Sequence, residues 1–501
     1  MALTESLTFR SARAVQWRFA GVAVGAVSQF AISVVLARLL TPADFGVVAL
    51  ASVVLGVIRP FANVGVGPAL VQRIDVTALH IRTAFTFSVV VGLTVTLAIM
   101  AVAPLAAVVM QNPDVTPVLR WLSTGFAFRS AATTANAILQ RQLDFKRQSV
   151  IETASNVLGY GAVAIVMALL GYGVWSLVWG GLVQTLLASI AQLIVVRHSL
   201  RPAWARRELG ELLHFGFGST ANACVGYVAL NVDNFVVGRW IGAASLGLYS
   251  RAYSLMSLPH TFFASVMMNV LFPAFSQVQG DPVRLGRAYV LVTQLTAMVA
   301  APAMGTLAIA APHLVQSVYG PQWAGAVIPL QILCGVGYFR AVYYVGGVVV
   351  RSVGWMYSWL LRQAIYAGLV FAGALIGSRY GLPGVAMGVS VAIIYMFVAT
   401  AQLALRATAT PWDAYIRAQL SALVAAGTTC GVALSVRLLL EAWQLSSTTI
   451  ALAAVTAAVI PWGVGVFRIL GRPEFEPLRS QMPAFFVRLS RALRPSASPS
   501  R

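Results

Sequence analysis

Apolar runs of about 20 residues recur along almost the whole chain, from near residue 15 to near residue 469. That is the length an α-helix needs to cross a hydrocarbon core of about 30 Å. In lipid the backbone has no water to bond to, so runs of this length must satisfy their hydrogen bonds within the helix. Charged residues make up only 10% of the 501, far below the roughly 25% of soluble domains. No polar stretch exceeds roughly 35 residues, which leaves no room for a soluble domain. The expected fold is therefore an all-α polytopic membrane protein with about 14 transmembrane helices. The expected helices span 15–38, 45–71, 83–109, 115–139, 150–170, 173–196, 212–237, 245–275, 285–310, 323–350, 355–378, 382–405, 413–437 and 447–469. The N-terminus, MALTESLTFRSARAVQWR, lacks a cleavable signal layout, so the first apolar run is expected to remain as a span.

The net charge is +20, carried by 33 arginines and a single lysine, Lys146. In a soluble chain this would suggest nucleic acid, but here the distribution argues otherwise. With a cytoplasmic N-terminus, 25 basic residues fall on the inner side and five on the outer. Positive residues favour the cytoplasmic side, so both termini are expected there, with membrane lipids and not nucleic acid as the partner of the basic loops. Cys224, Cys334 and Cys430 stand singly in apolar runs, so neither a metal site nor a redox pair is expected. Lys146 has no glycine beside it, which excludes a Gly-Lys-Ser/Thr phosphate loop. The five histidines are scattered. No cofactor and no bond-making chemistry are expected.

The chain repeats itself. SVVLARLLTPADFGVVALASVV (33–54) parallels NFVVGRWIGAASLGLYSRAYSL (234–255), with an arginine eight residues before a glycine in each: Arg38 to Gly46 and Arg239 to Gly247. AQLIVVRHSLRP (191–202) echoes AQLALRATATP (401–411) at a similar offset. The expected organisation is two pseudo-symmetric six-helix lobes, 1–211 and 212–411, followed by two further helices (412–470) and a basic tail (471–501). Parallel repeats of this kind place a binding site at the lobe interface near the membrane midplane. The tail begins as a basic amphipathic segment suited to an anionic inner leaflet.

Four arginines fall within the expected helices: Arg59, Arg129, Arg251 and Arg340. Arg59 lies some 18 Å below its helix end at about 1.5 Å per residue. An arginine near the bilayer centre costs about 2.5–3.5 kcal/mol on insertion scales, so it faces water or a partner. Ser52, Gly56, Arg59 and Asn63 share one helical face, as do Arg129, Thr133, Asn136 and Gln140, and Arg18, Gly21, Gly25 and Ser28. Arg340 sits among Tyr338, Phe339, Tyr343 and Tyr344. Asp233 and Arg251 lie nine residues either side of a turn near residue 242, at matched depth, where an ion pair is sterically reasonable.

Each charge has two readings. One is a buried pair or a snorkelling arginine that fixes packing. The other is a cationic cavity of Arg18, Arg59, Arg129, Arg251 and Arg340 for an anionic substrate, since guanidinium stays charged when buried and binds phosphate or carboxylate in bidentate fashion. Tyr343, Tyr344, Asn63 and Asn136 are then candidate sugar contacts. Asp233 is either a partner for Arg251 or a coupling site for a cation or proton.

LARLLTPADFGVVAL with NVGVGPALVQR, LQRQLDFKRQSVIE, GYGVWSLVWG and the stretch from NVDNF through VLFPAFSQVQGD together resemble Wzx-type polysaccharide flippases. These form the lipopolysaccharide and exopolysaccharide export branch of the multidrug/oligosaccharidyl-lipid/polysaccharide exporter superfamily. The resemblance covers about residues 10–410. It implies a bacterial inner-membrane flippase that moves polyprenyl-diphosphate-linked oligosaccharide outward by alternating access between two lobes. It also implies a polymerase and chain-length machinery as partners. Related lipid II flippases carry cavity arginines on helices 1, 2 and 8, where Arg18, Arg59 and Arg251 stand here. An ion gradient is the implied energy source. A drug/cation antiporter and a non-transporting scaffold are the alternatives; the first would call for an acidic cavity.

Overall fold

In a computed structural model the described residues are almost all helical, with no strand among them. The structure describes the backbone of residues 2–63, 66–73, 75–266 and 271–470, and the side chains within these except 2–20, 63, 212–225, 258–266 and 466–470. The expected amphipathic tail, the side chains of Arg18 and Asn63, and Cys224 lie outside the described residues.

Among the described residues ten segments are long and apolar enough to cross a membrane. One of them, Met356–Ala407, contains two helices joined by a short 3-10 turn. The chain is thus a polytopic helical membrane protein.

The chain divides into two compact units, Met1–Ser250 and Arg251–Arg501. The first contains α1 (Ala2–Leu39), α2 (Pro42–Asn63), the short α3 (Val66–Gln72), α4 (Ala78–Met110), α5 (Val115–Arg141), α6 (Phe145–Ser155), α7 (Ala164–Leu169), α8 (Val174–Val196), α9 (Arg206–Val236) and the start of α10 (Ala243–Val266). The expected span 45–71 is described as α2 up to Asn63 and as α3 from Val66. The expected span 150–170 is one rod with a π-helical centre, Asn156–Val163, between α6 and α7. Such a widened turn needs a neighbour that holds it open. Gly159 does this by letting the α8 backbone at Gln184 approach until an added Cβ would lie 2.4 Å away.

The motif LLTPADFG is a helix start. Pro42 opens α2, Thr41 donates its N–H (2.9 Å) and its hydroxyl (2.7 Å) to the Asp44 carboxylate, and the Asp44 N–H returns a bond to Thr41 Oγ1 at 3.3 Å. These reciprocal bonds satisfy donors that the first helical turn leaves open. Four residues after Pro42, Gly46 faces the carbonyl of Ala243, and a Cβ there would lie 1.7 Å from that oxygen. Gly247, four residues after Ala243, meets the carbonyl of Pro42 at 1.9 Å in the same sense. Gly46 and Gly247 therefore make one reciprocal contact, each using its missing side chain to admit the other helix's backbone.

The second unit holds α11 (Phe272–Gln277), α12 (Pro282–Val318), α13 (Val327–Ser352), α14 (Met356–Gly377), α15 (Gly381–Ala407), α16 (Trp412–Ala442) and α17 (Ser447–Leu470). Its core lies along α13, where Val342, Val345, Val348, Val349 and Val350 are fully buried. Around it Tyr289 and Tyr415 stack at 5.6 Å and Tyr338 donates to Gln419. Cys334 is buried in the same helix, as a small apolar residue would be.

Candidate functional site

In the first unit α2, α3, α5, α6 and α8 enclose a cavity of about 610 Å³. The expected α5 stripe opens onto it whole: Arg129, Thr133, Asn136 and Gln140 all line the wall. These positions fall on one face at helical spacing, while Ser130, Thr134 and Leu139 turn inward and are buried. The opposite wall is α8, whose Gln184, Thr185, Ser189 and Gln192 share a face at the same spacing. That stripe carries no charge and so did not stand out in the sequence, although four polar residues on one face of an apolar helix were a readable signal. Glu152 of α6 was missed as well, a carboxylate on the cavity wall that accepts from Gln148 Nε2 at 3.0 Å. Asn136 Oδ1, Gln148 Oε1 and Asn156 Oδ1 are buried with no hydrogen-bond partner among the described residues.

Arg59 of α2 lies within Coulombic reach of Arg129. Among the described residues neither guanidinium has a side-chain hydrogen bond or an ion pair. Two like charges in a half-enclosed space repel, and the low dielectric of a membrane protein strengthens that repulsion. The rest of the α2 stripe differs from expectation. Tyr227 of α9 lies over it, donating its hydroxyl to the Ser52 carbonyl at 2.9 Å. Gly56 is the seat of that ring; a Cβ there would lie 1.8 Å from it. Tyr227 also sits within the field of Arg59. The aromatic lid on α2 had no signature in the sequence.

On α1, Gly21 and Gly25 are packing positions against α6: Ser149 lies 2.3 Å from a Cβ placed at Gly21, and Thr153 lies 3.9 Å from one at Gly25. Ser28 bonds back to the carbonyl of Val24.

Asp233 is 2% exposed. Its Oδ2 accepts the Tyr249 hydroxyl at 2.8 Å and its Oδ1 accepts the Asn234 N–H at 2.9 Å. Tyr249 is itself fully buried, so this bond joins α9 to the start of α10 across their turn. Arg251 is half-buried and belongs to the second unit.

The remaining expected site residues lie in that second unit. Arg340 is buried; its Nη1 donates to the Tyr253 hydroxyl, and its guanidinium carbon stands 4.9 Å from the centre of the Tyr253 ring. Tyr343 and Tyr366 lie within its field, their rings 6.5 Å apart. Tyr343 is buried, and Tyr344 faces Arg351, whose guanidinium carbon lies 6.0 Å from its ring. The structure thus brings Arg129 and Asn136 onto the wall of one polar cavity, with Arg59 within the field of Arg129, and sets Tyr343 within the field of Arg340. Among the described residues no cluster of His, Cys, Asp and Glu could hold a metal.

Known proteins were compared with this chain. It is 27% identical over 316 residues to the lipopolysaccharide biosynthesis protein WzxC of Escherichia coli K12, which covers 62% of this chain and 63% of WzxC. It is 29% identical over 351 residues to the succinoglycan biosynthesis transport protein ExoT of Rhizobium meliloti 1021, covering 69% and 70%. The alignment to WzxC therefore spans less than two thirds of that relative. Among solved structures, an inward closed lipid II flippase MurJ superposes with a TM-score of 0.73 at 14% identity, over 90% of this chain and 98% of MurJ. An inward-facing multidrug resistance MATE family transporter of the MOP superfamily gives 0.64 at 17% identity, over 77% and 95%. These two place the fold. Residues 35–328, more than half of the chain, match the family described as polysaccharide biosynthesis protein, and the chain belongs to that family.

Proposed function

We propose that the chain is a transporter, not an enzyme, and that it moves a polyprenyl-diphosphate-linked oligosaccharide from the inner to the outer leaflet of a bacterial cytoplasmic membrane. The observation that carries this reading is Arg129 on the wall of a polar cavity with Arg59 within its field, neither guanidinium having a hydrogen-bond or ion-pair partner among the described residues. A diphosphate supplies what that pair needs, a compact anion that arginine binds in bidentate fashion. The amide walls from Asn136, Gln140, Gln184 and Gln192 fit sugar hydroxyls, and the buried oxygen of Asn136 calls for a donor. The names of WzxC and ExoT place those relatives in polysaccharide biosynthesis.

In this reading the helices α5, α9 and α10 also cross, α9 and α10 lying partly outside the described residues, which gives 14 spans. The lobes are 1–211 and 212–411, with 412–470 and the tail 471–501 appended, and both termini are cytoplasmic. Arg18 and Arg251 as phosphate contacts, and Asn63 and Tyr344 as sugar contacts, are proposed from their sequence positions alone. Substrate drives the transition only in so far as it binds the two states differently, and an ion gradient supplies the bias. A polymerase and its chain-length partner receive the product. A drug/cation antiporter fits the site less well, because two unpaired arginines repel a cation.

The test is a host that lacks its own flippase and expresses Arg129→Gln at the wild-type level. We expect surface polysaccharide to fall at least about ten-fold, as loss of one charge-assisted contact of about 1.5–3 kcal/mol implies, while lipid-linked oligosaccharide accumulates. Unchanged export from Arg59→Gln and Arg129→Gln, both normally expressed, refutes the reading.

A further inference from the structure

Outside the cavity just described, the second unit has a groove of about 550 Å³ between the α13–α14 turn and the end of α15. Its floor is Leu403, buried, and its rim is two arginines, Arg362 of α14 and Arg406 of α15. Arg362 is oriented through one nitrogen: its Nη1 donates to the carbonyl of Ala399 at 2.8 Å and to Gln402 Oε1 at 3.2 Å. Arg406 lies one helical turn beyond Gln402 on the same face of α15 and is exposed. Among the described residues its side chain has no hydrogen-bond or ion-pair partner, and no carboxylate lines the groove. Beside the arginines stands an apolar skirt. Trp355, Met356 and Leu361 are 41%, 48% and 64% exposed, and Tyr357 is 90% exposed. Four large side chains left open at one helix start mark a face that meets something other than bulk water. Trp and Tyr at the end of a membrane helix belong at headgroup depth.

We propose that this groove binds one anionic glycerophospholipid of the surrounding bilayer, its phosphodiester between Arg362 and Arg406 and its acyl chains along Met356 and Leu361. Two adjacent cations without a counter-charge select an anion. The apolar skirt selects one that carries chains, and the lipid is present at high concentration. Basic pockets between membrane helices hold anionic headgroups in this way. The site is separate from Arg59 and Arg129 and needs no oligosaccharide, so its failure and the failure of the transport reading are distinguishable. Only its assignment to the inner leaflet rests on the orientation proposed above.

The experiment is native mass spectrometry of the purified full-length protein with dioleoyl-phosphatidylglycerol or dioleoyl-phosphatidylcholine as probe. We expect the wild type to retain one phosphatidylglycerol in preference to phosphatidylcholine. Each arginine lost should weaken phosphatidylglycerol about five-fold, from the roughly 1 kcal/mol per basic residue near a lipid surface, and R362Q/R406Q together about 25-fold. R406K should retain binding, and R406Q alone, at an exposed position, keeps the test open if the double variant misfolds. Arg417, already paired with Asp413, is the control, and R417Q should change nothing. Equal binding of both lipids, wild-type binding by R406Q and R362Q/R406Q, or displacement of the lipid by millimolar inorganic phosphate overturns the proposal; the last would make it a small-anion site.

Discussion

Arg129 and Arg340 look alike in sequence: each is an arginine inside a long helix, with polar or aromatic residues at helical spacing around it. Their surroundings are opposite. Arg129 lines a polar cavity, is exposed to it, and meets another arginine, Arg59, without a hydrogen-bonding or ion-pairing partner among the described residues. Arg340 is 7% exposed, bonded to the Tyr253 hydroxyl and set over its ring. A buried cation on aromatic faces is compensated by its own protein. A cation beside another cation is compensated only by something that arrives. The first arrangement holds helices together, and the second leaves binding energy available to a ligand.

That contrast yields its largest test in stability. Arg340→Met should cost about 2–4 kcal/mol, from a lost bond to a charged group and a lost cation–π contact. Unfolding of the purified protein measures it, and Tyr253→Phe should recover little further loss in the Arg340→Met background. Arg129→Gln should leave stability unchanged or raised, because it removes a repulsion, while export falls. If Arg340→Met unfolds like the wild type but abolishes export, the caged arginine is a substrate contact and the contrast fails. A smaller effect is expected at Asp233. Tyr249→Phe removes one bond to a buried carboxylate and should cost about 1.5–3 kcal/mol, without moving the pH profile of export. A moved profile would instead make Asp233 the coupling site.

Much of this was legible from residue spacing. The α5 stripe reads directly from Arg129, Thr133, Asn136 and Gln140, because a helix repeats its face and only a wall turned from lipid tolerates that row. One pair of glycines was legible as well. The shared spacing of Arg38 to Gly46 and Arg239 to Gly247 picks out two glycines, and the structure sets Gly46 against the Ala243 carbonyl and Gly247 against the Pro42 carbonyl. What was not legible depends on neighbours distant in the chain. Nothing near Gly56 announces Tyr227, 171 residues later, and nothing near Arg340 announces Tyr253. Glu152 escaped because it belongs to a polar helix start, FKRQSVIE, where an acid usually faces water.

Even charges outside the membrane divide along the same line, into those compensated within the protein and those left open. Glu211, at the start of α9, gathers His80, Arg73 and Arg207: its carboxylate lies 3.3 Å from His80 Nε2, 2.6 Å from Arg73 and 3.3 Å from Arg207. The Thr77 N–H donates to His80 Nδ1 at 3.3 Å, which leaves the ring proton on Nε2, aimed at Glu211. The His80 bond, with the two arginines behind it, holds the Glu211 carboxyl below the usual carboxylate range. A depressed acid contributes its tie above its unfolded value, about 4.3, and loses it as pH falls through the lower folded value. The connector 197–205 is bound to α4 at the same place, through Arg82 to the carbonyls of Arg201 and Pro202. Spin labels at positions 79 and 200 should therefore hold one distance from neutral pH down to about pH 4 and broaden below it. In Glu211→Gln the broad distribution should be present at every pH. The effect is the smallest of the set, because the group is solvent-accessible and salt screens it. A narrow, pH-independent distance in Glu211→Gln would mean that Arg82 alone fastens the connector.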